Sequence, residues 1–368
     1  MNHISTVPLR IPHADAVQAH HPAQWWYWSG RVESAEGQTF GCKCSFFAGE
    51  AVRGVLWGQM AHAACIDLAT GSTRRHSRIW VGAPTRVAER FALSTPDQRL
   101  QGVGGDGHDR LLIDLGSSVF DLSLRAEGPP LAHYEAAAHR YAFGGYSYHY
   151  SRTRMKAHGS WTDEGGRRHE LTGTLWFDRQ VGALSPALYQ GWQWFALQLD
   201  GGELMLFDFH QAHSERFAVW VGSDGSTQIF SGPELRLHSL DRWQSPRTGI
   251  VYPSAWRIET PLHRLRIEPC TADQEMSAQG WSGPAYWEGA CNVRGSHRGV
   301  GYAELVGQTA GLFQRLRRFP MLMQALENPA VALATTTFIG RLGRYVPRIR
   351  PQFLALPSPD LAEGAPCR

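Results

Sequence analysis

Between Tyr146 and Trp194 the chain sets one carboxylate among aromatic rings. Trp176, Phe177 and Asp178 are consecutive, Tyr148, Tyr150, Arg152 and Arg154 alternate along the run before them, and Trp192, Trp194 and Phe195 open the run after. These residue types suit one chemistry. A carboxylic acid kept protonated by an apolar wall can give its proton to a poor base such as a carbon–carbon double bond. Aromatic faces then stabilise the cation that results. Strand alternation gives Trp176 and Asp178 one face and Phe177 the other, and puts Tyr148 and Tyr150 on a common face with Arg152. Asp178 is thus the expected proton donor, with Tyr148, Tyr150 and Trp176 beside it and Trp192 and Trp194 in the cavity wall. A plainer reading keeps the same residues without chemistry: Asp178 salt-bridges Arg152 or Arg154 at a strand end, and the tryptophans are core.

The elements that must position these groups read as strands throughout. A turn at Asp163–Gly166 joins the runs 146–161 and 169–182. Upstream, WWYWSGRV and TFGCKCSFFA flank a turn at Ser34–Gly37. Further runs (HSRIWV, RFAL, LLIDL, VFDLSL) follow, punctuated by Gly, Asp and Ser at the spacing of a sandwich or barrel. Asp200-Gly201-Gly202 and the SDGS segment mark two later hairpins. Gly102–Gly107 matches G-x-G-x-x-G, but a strand follows it where a dinucleotide site needs a helix, so it is expected to be a β-turn. Tyr27-Trp28-Ser29-Gly30 and Tyr286-Trp287-Glu288-Gly289 form a faint echo that would fit two similar halves. From Thr309 the apolar spacing becomes helical, with Pro320, Pro329 and Pro347 as breaks. The expected organisation is an arm (1–23), β-domains over 24–184 and 185–308, and a basic helical extension (309–368). That extension either packs on a barrel wall or lies on a membrane surface through its arginines.

Composition narrows the partners. A net charge of +3 over 368 residues gives no general case for nucleic-acid binding. The six cysteines form no CxxC pair and imply neither a disulfide framework nor a zinc site. Among the 17 histidines, His20-His21 and His210/His213 do not converge with carboxylates in an evident three-ligand set, so no metal or other cofactor is expected. The N-terminus lacks an apolar leader and no run reaches the length of a membrane span, which points to the cytoplasm. Oligomeric state is not legible.

The phrases WWYWSG, YSRTRM, GTLWFD, GWQWFALQLDGGELMLF, WQSPRTGIVYPSAWRI and YWEGACNVRG, in that order, resemble the hydroxyneurosporene synthase (carotenoid 1,2-hydratase) and AttH-like family across residues 24–308. The resemblance implies two lipocalin-like antiparallel β-barrels meeting near residue 185. It also implies water addition to, or cyclisation of, unsaturated apolar molecules. A His/Trp-bearing strand of the hydratases falls by motif on Tyr148 and Tyr150, and a Tyr-x-Asp strand end falls on Trp176 and Asp178. The family usually reads EWWY and FDHEWG where this chain has Gln24, Arg179 and Gln180. The expectation is therefore a cofactor-independent cyclase or hydratase acting on an isoprenoid-type polyene. Its aromatic-lined barrel cavity would contact substrate through Trp26, Trp28, Arg152, Arg154, Trp192, Trp194 and Phe195. The alternative is a lipocalin-type carrier that binds a lipid or pigment without catalysis.

Overall fold

Period-two alternation is clean only on the outer strands. The run from Val119 to Ala126 alternates buried and accessible residues, whereas every residue from Leu175 to Val181 and from Gly202 to Phe209 is buried. A strand buried on both faces must be covered twice. Here a curled sheet's own interior covers one face and a second sheet covers the other. The computed structural model describes residues 13–18, 21–52, 56–133, 139–141, 145–183, 191–209, 215–276 and 285–307. The expected helical extension (309–368) lies outside them, as do residues 184–190 at the expected boundary. No helix among the described residues is long and apolar enough to cross a membrane.

The first sheet comprises β1 (Ala23–Ser34), β2 (Thr39–Val52), β3 (Leu56–Asp67), β4 (Thr73–Val81), β5 (Arg86–Val87), β6 (Arg90–Ser94), β7 (Leu100–Gly105), β8 (His108–Asp114), β9 (Val119–Ala126), β10 (Leu131–Ala132), β11 (His139–Arg140), β12 (Tyr146–Thr162) and β13 (Arg168–Ala183). The second comprises β14 (Trp192–Leu199), β15 (Gly202–Phe209), β16 (Glu215–Gly222), β17 (Thr227–Ser231), β18 (Arg236–Gln244), β19 (Val251–Glu259), β20 (Arg264–Pro269), β21 (Glu275–Met276), β22 (Tyr286–Gly295) and β23 (Gly299–Val306). All pairings are antiparallel, so the all-β expectation holds. The literal G-x-G-x-x-G run is the tight β7–β8 hairpin, with Gly105, Asp106 and Gly107 at positive φ. Asp200–Gly202 likewise turns β14 into β15.

Both sheets share one topology. Four meandering strands lead out from β1 or β14, and the last strand of each sheet, β13 or β23, returns beside that first strand. The YWSG/YWEG echo does not mark this symmetry, because it sits on β1 and on β22, which are not equivalent strands.

Each curled sheet is filled. Trp26, Trp28, Phe40, Phe46, Phe91, Phe120 and Phe177 pack inside the first, and Phe195, Leu206, Trp256 and Trp287 inside the second. These clusters are the hydrophobic cores of the two curled sheets. A third cluster, with Tyr27, Trp176, Trp194, Phe207 and Tyr302, lies between the sheets. One end of this interface is bolted by polar contacts. Arg31 donates to Cys291 O and Asn292 Oδ1, both at 2.8 Å, and Gln198 donates to Thr153 O at 2.6 Å. Arg154 joins Glu203 and donates to Leu199 O at 3.0 Å.

Within the expected arm, His13–Asp15 forms a 3-10 turn whose buried Ala14 and Asp15 plug the first barrel. Asp15 accepts both guanidinium ends of Arg152 at 2.9 Å, the Tyr150 hydroxyl, and the Asp106 N–H at 2.7 Å. Arg179 donates to Ala16 O at 2.8 Å and lies 3.9 Å over the Trp26 ring. Removing the Asp15 carboxylate would strand a buried guanidinium, so Asp15→Ala should lower unfolding free energy by roughly 3–5 kcal/mol. Urea titration followed by tryptophan fluorescence measures this, and a loss of under about 1 kcal/mol would contradict the role of the plug.

Candidate functional site between the sheets

Register decides which residues meet. Asp178 pairs with Ser151 on β12 and with Tyr27 on β1. Cross-strand partners share a face, so Trp176, Asp178, Ser147, His149, Ser151 and Tyr27 look toward the second sheet. Phe177, Arg179, Tyr148, Tyr150 and Arg152 look into the first barrel. Tyr148 and Tyr150 are thus on the opposite face from Asp178, one residue out of phase with the expected wall.

Asp178 is buried, and its Oδ1 is the focus of a small network. Trp176 Nε1 donates to it at 2.9 Å and Ser151 Oγ also donates to it. His149 Nε2 lies 3.3 Å away without hydrogen-bond alignment. Ser151 gives its only proton to Asp178, so the 2.5 Å contact between His133 Nε2 and Ser151 Oγ requires an N–H on that nitrogen. Burial, then the neighbouring His149, hold the His133 imidazole well below its ordinary pKa, and its Nδ1 is unpaired. The His133 and His149 ring centroids are 4.3 Å apart. Oδ2 of Asp178 has no hydrogen-bond partner among the described residues. His133, His149 and Asp178 each offer an atom within 4.8 Å of the others, a donor set of the kind that can hold a divalent metal.

A second carboxyl answers from the facing sheet. Glu304 Oε2 accepts from Trp192 Nε1 at 2.8 Å. The low-dielectric surroundings raise Glu304 to about 8, helped next by the Glu288 charge and in smaller part by that of Asp178. Glu304 keeps some water-accessible surface. Beyond it Lys43, almost fully buried, forms an ion pair with Glu288 and donates to the Tyr286 hydroxyl at 2.6 Å. That hydroxyl contacts His62 Nδ1 at 2.8 Å. Rings enclose the space, with Trp194 edge-on to Tyr27 and to Trp176, and Phe207 edge-on to His149.

Of the residues singled out from sequence, Asp178, Trp176, Trp192 and Trp194 converge between the sheets. Tyr148, Tyr150, Trp26, Trp28 and Arg152 belong to the first barrel or its plug, and Phe195 to the second core. Neither arginine proposed as an Asp178 partner reaches it, since Arg152 is taken by Asp15 and Arg154 by Glu203. Two of the three departures from the family pattern touch each other inside the plug, where Arg179 Nη2 donates to Gln24 Oε1 at 2.9 Å. Gln180 alone faces the interface, donating to the Tyr141 hydroxyl at 3.4 Å. Sequence reasoning missed His149, His133, Ser151, Glu304 and Lys43. The first and third were available in the motif: His149-x-Ser151 is the pair that shares the Asp178 face.

A family model described as AttH-like matches residues 3–308. A crystal structure from Nitrosomonas europaea described as an AttH has a TM-score of 0.75 at 26% identity, covering 84% of this chain and 99% of that one. Kievitone hydratase from Nectria haematococca aligns with a TM-score of 0.68 at 17% identity, covering 83% of this chain and 95% of its own. CghA, crystallised with Sch210972, gives a TM-score of 0.51 at 11% identity, covering 79% and 90%. At such identities the last two share the fold, and nothing further follows from them directly. No curated protein matches the chain.

The raised carboxyl makes stability depend on pH. Folding favours protonated Glu304, so its stabilisation is complete below the ordinary value of 4.5 and is lost as pH climbs toward about 8. Glu304→Gln keeps the acceptor for Trp192 and cannot ionise. Relative to wild type it should gain on the order of 2 kcal/mol between pH 5 and pH 9, allowing for the water that reaches the group. Parallel urea curves for the two proteins at both pH values would contradict the assignment.

Proposed function

The chain belongs to the AttH-like family, and on that premise we propose that it is a cofactor-independent enzyme that hydrates or cyclises an unsaturated, largely hydrophobic small molecule between its two sheets. One observation carries the reading: two carboxyls, one from each sheet, interact electrostatically beside the aromatic rings of the inter-sheet cluster. Glu304, held protonated near neutral pH, is the acid. Asp178, whose Oδ1 accepts from Trp176 and Ser151, is the base, with Oδ2 turned to the substrate. This exchanges the role first expected of Asp178.

In a hydration, the Glu304 proton goes to one alkene carbon and the cation forms on the other. Water adds there and its proton passes to Asp178. In a cyclisation the same acid starts the cation and Asp178 removes the closing proton. Tyr27, Trp176 and Trp194 supply ring faces for the cationic stage. An isoprenoid-type polyene is the substrate class that the sequence resemblance implies. Kievitone hydratase, a hydratase by name, has the same fold. The aromatic residues packed within each barrel favour the enzyme reading over the lipocalin-type carrier.

The test is a panel of prenylated and polyene compounds incubated with the protein in D2O and followed by mass spectrometry. Wild type should give a deuterated hydrate or isomer from one of them. Asp178→Asn and Glu304→Gln should each lower that rate about 100-fold or more. Wild-type rates from either variant would overturn the pairing. Exhaustive chelation should leave turnover unchanged, whereas loss with recovery on adding zinc would reassign His133, His149 and Asp178 as metal ligands.

A further inference from the structure

The inter-sheet space is far richer in polar groups than a hydrocarbon substrate requires. Of fourteen buried side-chain atoms unpaired among the described residues, eight look into it, from Tyr27, Ser29, His62, His133, His149, Trp194 and Glu288. A buried polar group without a partner is costly, so such groups gather where a ligand completes them. Those around His149 belong to the acid–base site. Three others form a separate set around Lys43.

Their hydrogen-bond character is complementary to one functional group. The Lys43 ammonium donates to the Tyr286 hydroxyl, which also contacts His62 Nδ1 at 2.8 Å. His62 is neutral, held to about 3 by burial and then by Lys43, and its Nε2 is unpaired. The Tyr27 hydroxyl is an unpaired donor. It lies close enough to Glu288 and to Ser29 to interact with both, without the alignment of a full hydrogen bond to either. Glu288 Oε2 is committed to Lys43, and Oε1 is an unpaired acceptor. A group that donates once and accepts once completes this set, and a hydroxyl does both. A carboxylate would be repelled by Glu288, and a bare hydrocarbon would leave the Tyr27 hydroxyl and Glu288 Oε1 unpaired. Nor does fold stability explain the pair, since buried ion pairs are commonly no better than apolar side chains of the same volume.

We propose that Tyr27 and Glu288 form an anchoring subsite for a neutral hydroxyl or phenol of the substrate, which turns the unsaturated part toward Asp178 and Glu304. The substrate is then an oxygenated unsaturated compound and not a pure hydrocarbon. This rests on the inter-sheet reading of the active site, and the experiment separates the two.

Resveratrol and trans-stilbene share a skeleton and differ in hydroxyls. Quenching of tryptophan fluorescence gives their dissociation constants. Wild type should bind resveratrol at least about tenfold more tightly, although it is the more water-soluble of the two. Glu288→Gln and Tyr27→Phe should each remove most of that ratio and leave stilbene affinity unchanged. Tyr27→Phe deletes one unpaired hydroxyl, so it keeps the test open should Glu288→Gln fail to fold. Equal affinities, or a ratio that survives both variants, would overturn the anchor alone. Binding of neither compound would overturn the anchor and the inter-sheet site together.

Discussion

The period of two along β1, β12 and β13 is the constraint on which everything else rests. These strands are covered on both sides, so each residue enters either a filled barrel or the space between sheets, and its neighbour does the opposite. Trp176 and Asp178 take one side; Phe177 and Arg179 take the other. A one-residue slip would bury Arg179 against the second sheet and lose Asp178 to the barrel core. The Asp15 plug resists such a slip, because it fixes Arg152 and Tyr150 inside the first barrel and so fixes the phase of β12. The set of side chains that faces the interface thus depends on an ion pair that never touches it.

With the phase set, the electrostatics follow from burial. Glu288, Glu304 and Asp178 share a poorly hydrated space with Lys43, the cation paired to Glu288. Burial first, and the Glu288 charge after it, raise Glu304 to about 8. Asp178 Oδ1 accepts from two fixed donors, Trp176 Nε1 and Ser151 Oγ. The polar bolts at Arg31, Arg154 and Gln198 hold the far end of the interface together, so the reacting end need not be the cohesive one.

Much of the architecture was legible in the chain. Asp163–Gly166, Asp200–Gly202 and Gly102–Gly107 announce their turns because left-handed or tight backbone needs those residues. The aromatic density around Trp176 and Trp194 does mark the interface. The site was only half legible, for a physical reason. Periodicity tells which residues of one strand share a face, but not which of two buried faces is the core. In YSYHYS the tyrosines look like the cavity wall, yet they fill the barrel, and the inconspicuous His149 and Ser151 face Asp178. His133 arrives from beyond β10, and Glu304 and Lys43 from ordinary-looking strands. Their meeting is set by how the sheets pack, which local sequence does not encode.

The central claim is that ligand binds between the sheets and not within a barrel. A crystal structure of the protein soaked with resveratrol tests this most directly. The account predicts density between Tyr27 and Trp194 with its unsaturated bond facing Asp178 and Glu304. Density inside the first barrel, against Trp28 and Phe177, would contradict it.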